Sequence, residues 1–176
     1  MIVLTVPGIG GSGPEHWQSR WEALHADTRR VEQADWNQPQ RDAWLSRLDA
    51  AVANAGPDCV LAAHSLGCLL VAHWASQRPR SIRGALLVAV PDPDGPVFPA
   101  AAAEFTLLQQ ALPFPTLVVA SRNDPYADFE FSERITRAWG AKLVDAGAHG
   151  HLNADSSGLD DWPAGRALLA PWSRDA

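Results

Sequence analysis

The chain has 176 residues and a mass of 19.0 kDa, with 47% apolar and 19% charged positions, a balance that fits one folded domain over residues 1–176 and excludes disorder. Fourteen basic against twenty acidic residues give a net charge of −6, and with Lys142 the single lysine and the arginines scattered, no basic patch offers a nucleic-acid surface. No apolar run approaches the roughly 20 residues that span a bilayer, and the opening Met1-Ile2-Val3-Leu4-Thr5-Val6 is unlike a signal peptide, so a cytoplasmic protein with no membrane partner is expected.

Ile2–Val6 reads as a strand and runs into the glycine-rich stretch Pro7–Gly13. Trp17, Trp21 and Leu24 then recur at helical spacing, and Arg29–Gln33 is a weak strand. Trp44, Leu48, Ala51, Val52 and Ala55 mark a helix after Pro39. Cys59–Ala63 is a strand, and Leu66–Ser76 a helix apolar nearly all round. The strand Ala85–Val90 leads into a proline-rich insertion, Pro91–Pro99, with a helix predicted over Ala100–Ala111. Thr116–Ala120 and Lys142–Asp145 are the last strands, with helices over Glu130–Trp139 and Gly165–Pro171. Short strands alternating with helices imply an α/β fold: a three-layer α/β/α, doubly wound, mainly parallel six-stranded sheet. In such sheets chemistry gathers at the carboxyl ends of the strands.

One of those ends carries Ala63-His64-Ser65-Leu66-Gly67, the form of a nucleophile elbow. The strand-to-helix turn is so tight that the positions two before and two after the Ser must be small. Ala154-Asp155-Ser156-Ser157-Gly158 matches as well, but lacks the apolar strand before it and the helix after it. A Ser hydroxyl needs a base and a group to orient that base. In this architecture the acid and then the His follow the Ser in the chain, which leaves His149 and His151 and sets aside His16, His25, His64 and His73. Asp124 leaves the strand Thr116–Ala120 and is the preferred acid, with Asp145 second. Leu66 is placed to give one oxyanion-hole N–H, and Ile9, in the glycine-rich loop, the other. That loop fits neither G-x-G-x-x-G nor a Walker sequence.

With Pro7-Gly8-Ile9-Gly10-Gly11-Ser12-Gly13-Pro14-Glu15-His16-Trp17, His64-Ser65-Leu66-Gly67, Ser121-Arg122-Asn123-Asp124-Pro125 and Gly150-His151-Leu152-Asn153, the chain resembles the retinoblastoma-binding-protein 9/YdeN group of small serine hydrolases, nearly end to end. The resemblance implies a minimal α/β-hydrolase fold lacking the two leading antiparallel strands and any cap domain, with strand order 2-1-3-4-5-6. It also implies that His151, in the Gly-His-Leu-Asn motif, is the base rather than His149. Ala63 replaces the first glycine of the elbow, which the family tolerates. An L-x-C-x-E sequence is absent, so no retinoblastoma-protein partner is implied.

The remaining features read as structural. His149-Gly150-His151 lacks further ligands at metal-binding spacing, so no metal is expected. Trp17, Trp21, Trp44 and Trp74 fit core packing, as does His64, whose side chain should point away from the line of attack. Trp162 is weighed as a wall of the acyl pocket but reads better as packing. Cys59 and Cys68 sit in apolar runs as small hydrophobes. The expected function is a carboxylesterase-like serine hydrolase that acts without a cofactor on a small acyl-bearing ester, thioester or amide, through Ser65, Asp124 and His151. The alternative is a hydrolase-fold scaffold with an idle triad. Only Pro91–Ala111 is long enough to stand over the site, so the pocket should be shallow. None of these features sets an oligomeric state.

Overall fold

The computed structural model describes residues 1–78, 80–156 and 159–173. Strands β1 (Ile2–Val6), β2 (Thr28–Arg30), β3 (Cys59–His64), β4 (Gly84–Val88), β5 (Thr116–Ala120) and β6 (Lys142–Asp145) form one sheet, ordered β2-β1-β3-β4-β5-β6. Every neighbouring pair is parallel. The helices are α1 (Trp17–Leu24), α2 (Arg41–Ala55), α3 (Leu66–Gln77), α4 (Phe129–Ala138), α5 (Pro163–Ala167) and α6 (Ala170–Ser173).

The period of two along each strand sorts side chains into two cores. Val3, Val60, Ala62, Leu86 and Val88 face one side, where they meet Trp17 and Trp21 of α1 and Trp162, Leu169 and Trp172 near the C-terminus. Leu4, Val6, Leu61, Ala63 and Leu87 face the other, against Trp44 and Leu48 of α2, Leu69 and Trp74 of α3, and Phe131 and Ile135 of α4. Strands covered on both faces must be apolar throughout, and β3 and β4 are buried along their whole length. The four tryptophans predicted to pack are each at most 1% exposed. This is the expected three-layer α/β-hydrolase architecture. Among the described residues no cap domain stands over the sheet, and no helix is long and apolar enough to cross a membrane.

Three predicted elements differ by more than a residue or two at their ends. The weak strand predicted at Arg29–Gln33 starts at Thr28 and ends at Arg30. Val31 N–H still donates to Thr5 O at 2.9 Å, but the next rung would need an N–H from Pro7, which has none. The predicted helix Ala100–Ala111 shrinks to a single 3-10 turn, Ala100–Ala102. Side chains claim the carbonyls beyond it: His73 Nε2 lies 2.9 Å from Thr106 O, and Trp139 Nε1 donates to Leu108 O at 2.7 Å. Tertiary bonding overrides the alanine-rich propensity there. The helix at Gly165–Pro171 divides into α5 and α6, because Pro171 has no N–H to give the Ala167 carbonyl. Of the second elbow-like match, Ser157 and Gly158 lie outside the described residues, and Ser156 sits in a loop, donating to His149 O.

Candidate active site

Ser65 is the single joint between β3 and α3, with φ 54° and ψ −126°. This left-handed conformation is strained for a residue with a side chain. The neighbourhood explains why the flanks are small. A Cβ on Gly67 would stand 2.1 Å from Val6 O, and one on Gly8 would stand 3.0 Å from the Ser65 Cβ. Ser65 N–H donates to Val88 O at 3.0 Å, tying the turn to β4.

His151 and Asp124 converge on this serine. His151 Nε2 is 2.8 Å from Ser65 Oγ, and His151 Nδ1 is 2.9 Å from both oxygens of Asp124. The side chains of His151 and Asp124 are 10% and 4% exposed, so bulk water screens their pairing little. Asp124 Oδ1 also accepts the Tyr126 N–H at 2.9 Å, which fixes its carboxylate. Asp145, the second choice for the acid, is held instead by Arg122, which keeps its carboxyl below the usual range. Among the described residues no hydrogen bond joins His149 to Ser65, and the His149 backbone N–H donates to Ser121 Oγ at 2.9 Å. Among the described residues no group of three or more His, Cys, Asp or Glu could hold a metal ion.

The loop that carries His151 is held from several sides by residues that sequence reasoning did not select. Asn123 Oδ1 accepts the Gly150 N–H at 2.7 Å and the Ser121 hydroxyl at 2.9 Å. Trp17 Nε1 donates to Leu152 O at 3.0 Å, and Leu152 sits at φ 50°. The Tyr126 ring lies over His151, centroid to centroid 4.4 Å. His64 departs from its expected role as packing alone. It is buried, but its Nε2 is 2.8 Å from the carbonyl of His151, and its ring lies 4.9 Å from the His151 ring. A carbonyl only accepts, so His64 Nε2 carries the proton; burial holds the His64 pKa well below its ordinary value and keeps the ring neutral. His16, also set aside on chain order, lines the same cavity. The signal available for His64 was its place inside the elbow motif. For His16 it was its place in the stretch Pro7–Trp17 on which the family resemblance rests.

The loop after β1 is fixed by a partly buried charge cluster. Arg30 donates to Gly11 O and, at 3.2 Å, to Ser12 O, while its Nε meets Glu22 at 3.0 and 3.1 Å. Gly10 N–H is committed to Trp36 O and Gly11 N–H to Gly8 O, whereas the N–H groups of Ile9 and Leu66 have no protein acceptor among the described residues. Ile9, Leu66, Ser65 and His151 all line a cavity of about 330 Å³. Pro91, Phe98 and Pro99 of the proline-rich insertion form part of its wall, and Trp162 does not. Trp162 packs against Trp17 and Trp21, at 5.2 and 6.2 Å between ring centroids.

The family model described as serine hydrolase matches residues 3–171. Among solved structures, a protein described as a YdeN-like hydrolase from Pectobacterium atrosepticum is 32% identical, with 98% of this chain and 90% of that one covered and a TM-score of 0.87. The ydeN gene product of B. subtilis is 23% identical over 97% of each chain, TM-score 0.80. A monoacylglycerol lipase from Paleococcus ferrophilus shares the fold at 13% identity, covering 97% of this chain and 93% of that one, TM-score 0.73. A search of curated proteins gave no match.

Proposed function

The chain belongs to the serine hydrolase family, and from that premise we propose that Ser65, His151 and Asp124 cleave a small ester, thioester or amide through an acyl-enzyme. The observation that carries this reading is the single imidazole bridging Ser65 Oγ and the Asp124 carboxylate at 2.8 and 2.9 Å. His151 Nε2 takes the Ser65 proton as Oγ attacks the carbonyl carbon of the substrate. Asp124 holds the imidazole in the tautomer with its proton on Nδ1 and stabilises the imidazolium that forms. The oxygen that becomes negative meets the uncommitted N–H groups of Ile9 and Leu66. Collapse breaks the bond to the leaving group, which takes the proton from His151 Nε2. Water then repeats the sequence on the acyl-enzyme, releasing the acid and restoring Ser65. Every step is nucleophilic attack, collapse, proton transfer or electrostatic stabilisation by this chain's own groups and water, with no cofactor. The cavity volume sits near the low end for small-molecule sites, which favours a short acyl group.

A fluorophosphonate probe tests this directly, because it phosphonylates an activated serine with loss of fluoride. Wild type should be labelled at Ser65, as located by peptide mass spectrometry, and Ser65→Ala should not. His151→Ala should lose several orders of magnitude in p-nitrophenyl ester turnover, since triad members act as a unit, and His149→Ala little. Folded wild type that takes no label would leave the idle-triad scaffold as the better reading.

A further inference from the structure

His16 is the N-cap of α1, and its Nδ1 accepts the Gln18 N–H at 3.2 Å. That bond uses the Nδ1 lone pair. Burial, with Arg30 and His151 nearby, pushes the pKa of the ring down to about 3. The ring is therefore neutral at physiological pH, and its one proton sits on Nε2. This Nε2–H is buried and has no hydrogen-bond partner among the described residues, in a side chain that is part of the cavity wall. The residue as a whole is 4% exposed. Capping alone does not account for it. Ser, Asp or Asn would cap the helix at least as well without burying an unmet donor.

The cavity lining is of two kinds, apolar and polar. Phe98 packs against the core under α2 and α3, and with Pro91 and Pro99 it makes an apolar wall. His16 lies beside the loop that carries His151: its ring is 4.6 Å from the His64 ring, which is in turn 4.9 Å from the His151 ring. The leaving oxygen must face His151 Nε2 to receive its proton, so the group attached to that oxygen runs along the base-loop wall. Ser12, Gly13 and Asn153 line the cavity with His16, making this its polar part.

We infer that the His16 Nε2–H donates a hydrogen bond to a further oxygen on the leaving group, so that the preferred substrates are esters of alcohols bearing a second oxygen acceptor, such as a diol or an ether alcohol. This rests on the acyl-enzyme reading above and names the alcohol half of its substrate. A site built to bond an oxygen discriminates against the analogue that lacks it, because the donor is then left unmet.

The test compares matched butyrate esters: methoxyethyl against n-butyl, and methoxypropyl against n-pentyl. In each pair one methylene becomes an ether oxygen, and the acyl-enzyme is common to all four. His16→Asn and His16→Ser each keep an oxygen for the Gln18 N–H while deleting the Nε2 donor. The ether-over-alkyl ratio of kcat/KM in wild type, divided by that ratio in the variant, cancels intrinsic ester reactivity and any general loss of activity. We expect a double ratio of about tenfold for at least one pair. A parallel arm, n-butyl methoxyacetate against n-butyl butyrate, moves the oxygen into the acyl group and should give a value near one. Double ratios near one for both alcohol pairs overturn the inference, as does a preference found only in the acyl arm. Failure of wild type labelled at Ser65 to turn over any of these esters overturns it too. Wild type that takes no probe at all sinks the acyl-enzyme reading itself, which distinguishes the two failures.

Discussion

The two ends of the Ser65–His151 hydrogen bond are positioned by different physics. The serine sits at the centre of the sheet, on a turn fixed by hard-sphere contacts between backbones: Gly67 against Val6 O, and Gly8 against Ser65. The histidine sits on the loop beyond β6, an edge strand with exposed ends. Hydrogen bonds to Asn123 Oδ1 and from Trp17 and His64 fix it instead. A steric constraint writes itself into the sequence as obligatory small residues at fixed offsets. A hydrogen-bonded constraint does not, because its partners come from remote parts of the chain.

Two glycines put this contrast at its sharpest. Gly67→Ala would drive a Cβ to 2.1 Å from a backbone oxygen that no side-chain rotation can move. It should cost about 3 kcal/mol or more, the range of overpacked cores. Gly150, in the base loop, has φ 57°, and a Cβ there would meet only the Ser156 Oγ, at 3.9 Å. Gly150→Ala should therefore cost about 1 kcal/mol, the left-handed penalty alone. Urea unfolding of both variants measures the difference. Equal costs would mean that the elbow relaxes more easily than its contacts imply.

The same contrast explains what the sequence reveals and what it hides. Six strands, their parallel sense and the elbow were legible because periodicity and small-residue spacing are local. That Asp124 would meet a loop histidine was legible by chain order and strand end, but His151 could be separated from His149 only through the family motif. His16 and His64 were set aside because chain order ranks candidates for the base and says nothing of the residues that brace it. The failed helix at Ala100–Ala111 has the same cause. Its alanines favour a helix locally, while His73 and Trp139, distant in sequence, bond to its carbonyls.

His64 offers a smaller perturbation that probes the hydrogen-bonded end alone. His64→Leu removes the donor to His151 O while keeping an apolar side chain against the core. The imidazole should then lose its alignment, lowering kcat by between about tenfold and a hundredfold, the cost of a displacement of about 1 Å. His64→Gln, whose amide N–H can still reach that carbonyl, should recover most of the loss. A kcat and KM comparison across the three proteins, with probe labelling as a check on Ser65, separates positioning from general damage. If Leu and Gln variants are equally active, the loop does not depend on this bond.

The smallest effect is expected where the second candidate acid stands. Asp145 is bonded by Arg122 Nε at 2.8 Å, and its Oδ1 accepts the Gly147 N–H at 2.9 Å, all on the exposed side of the base loop. Asp145→Asn keeps an oxygen for Gly147 and removes only a surface charge pair, which salt and water already screen. Ester turnover should change by less than about twofold. Asp124→Asn keeps the shape of the site but favours the wrong imidazole tautomer, and should cost about 10⁴ in kcat. Measured side by side, the pair asks whether the histidine is governed by the buried carboxylate it touches or by the charge pair at the end of β6. A large loss in Asp145→Asn would mean that the charged rim, and not only the hydrogen bonds beneath it, sets the position of the base.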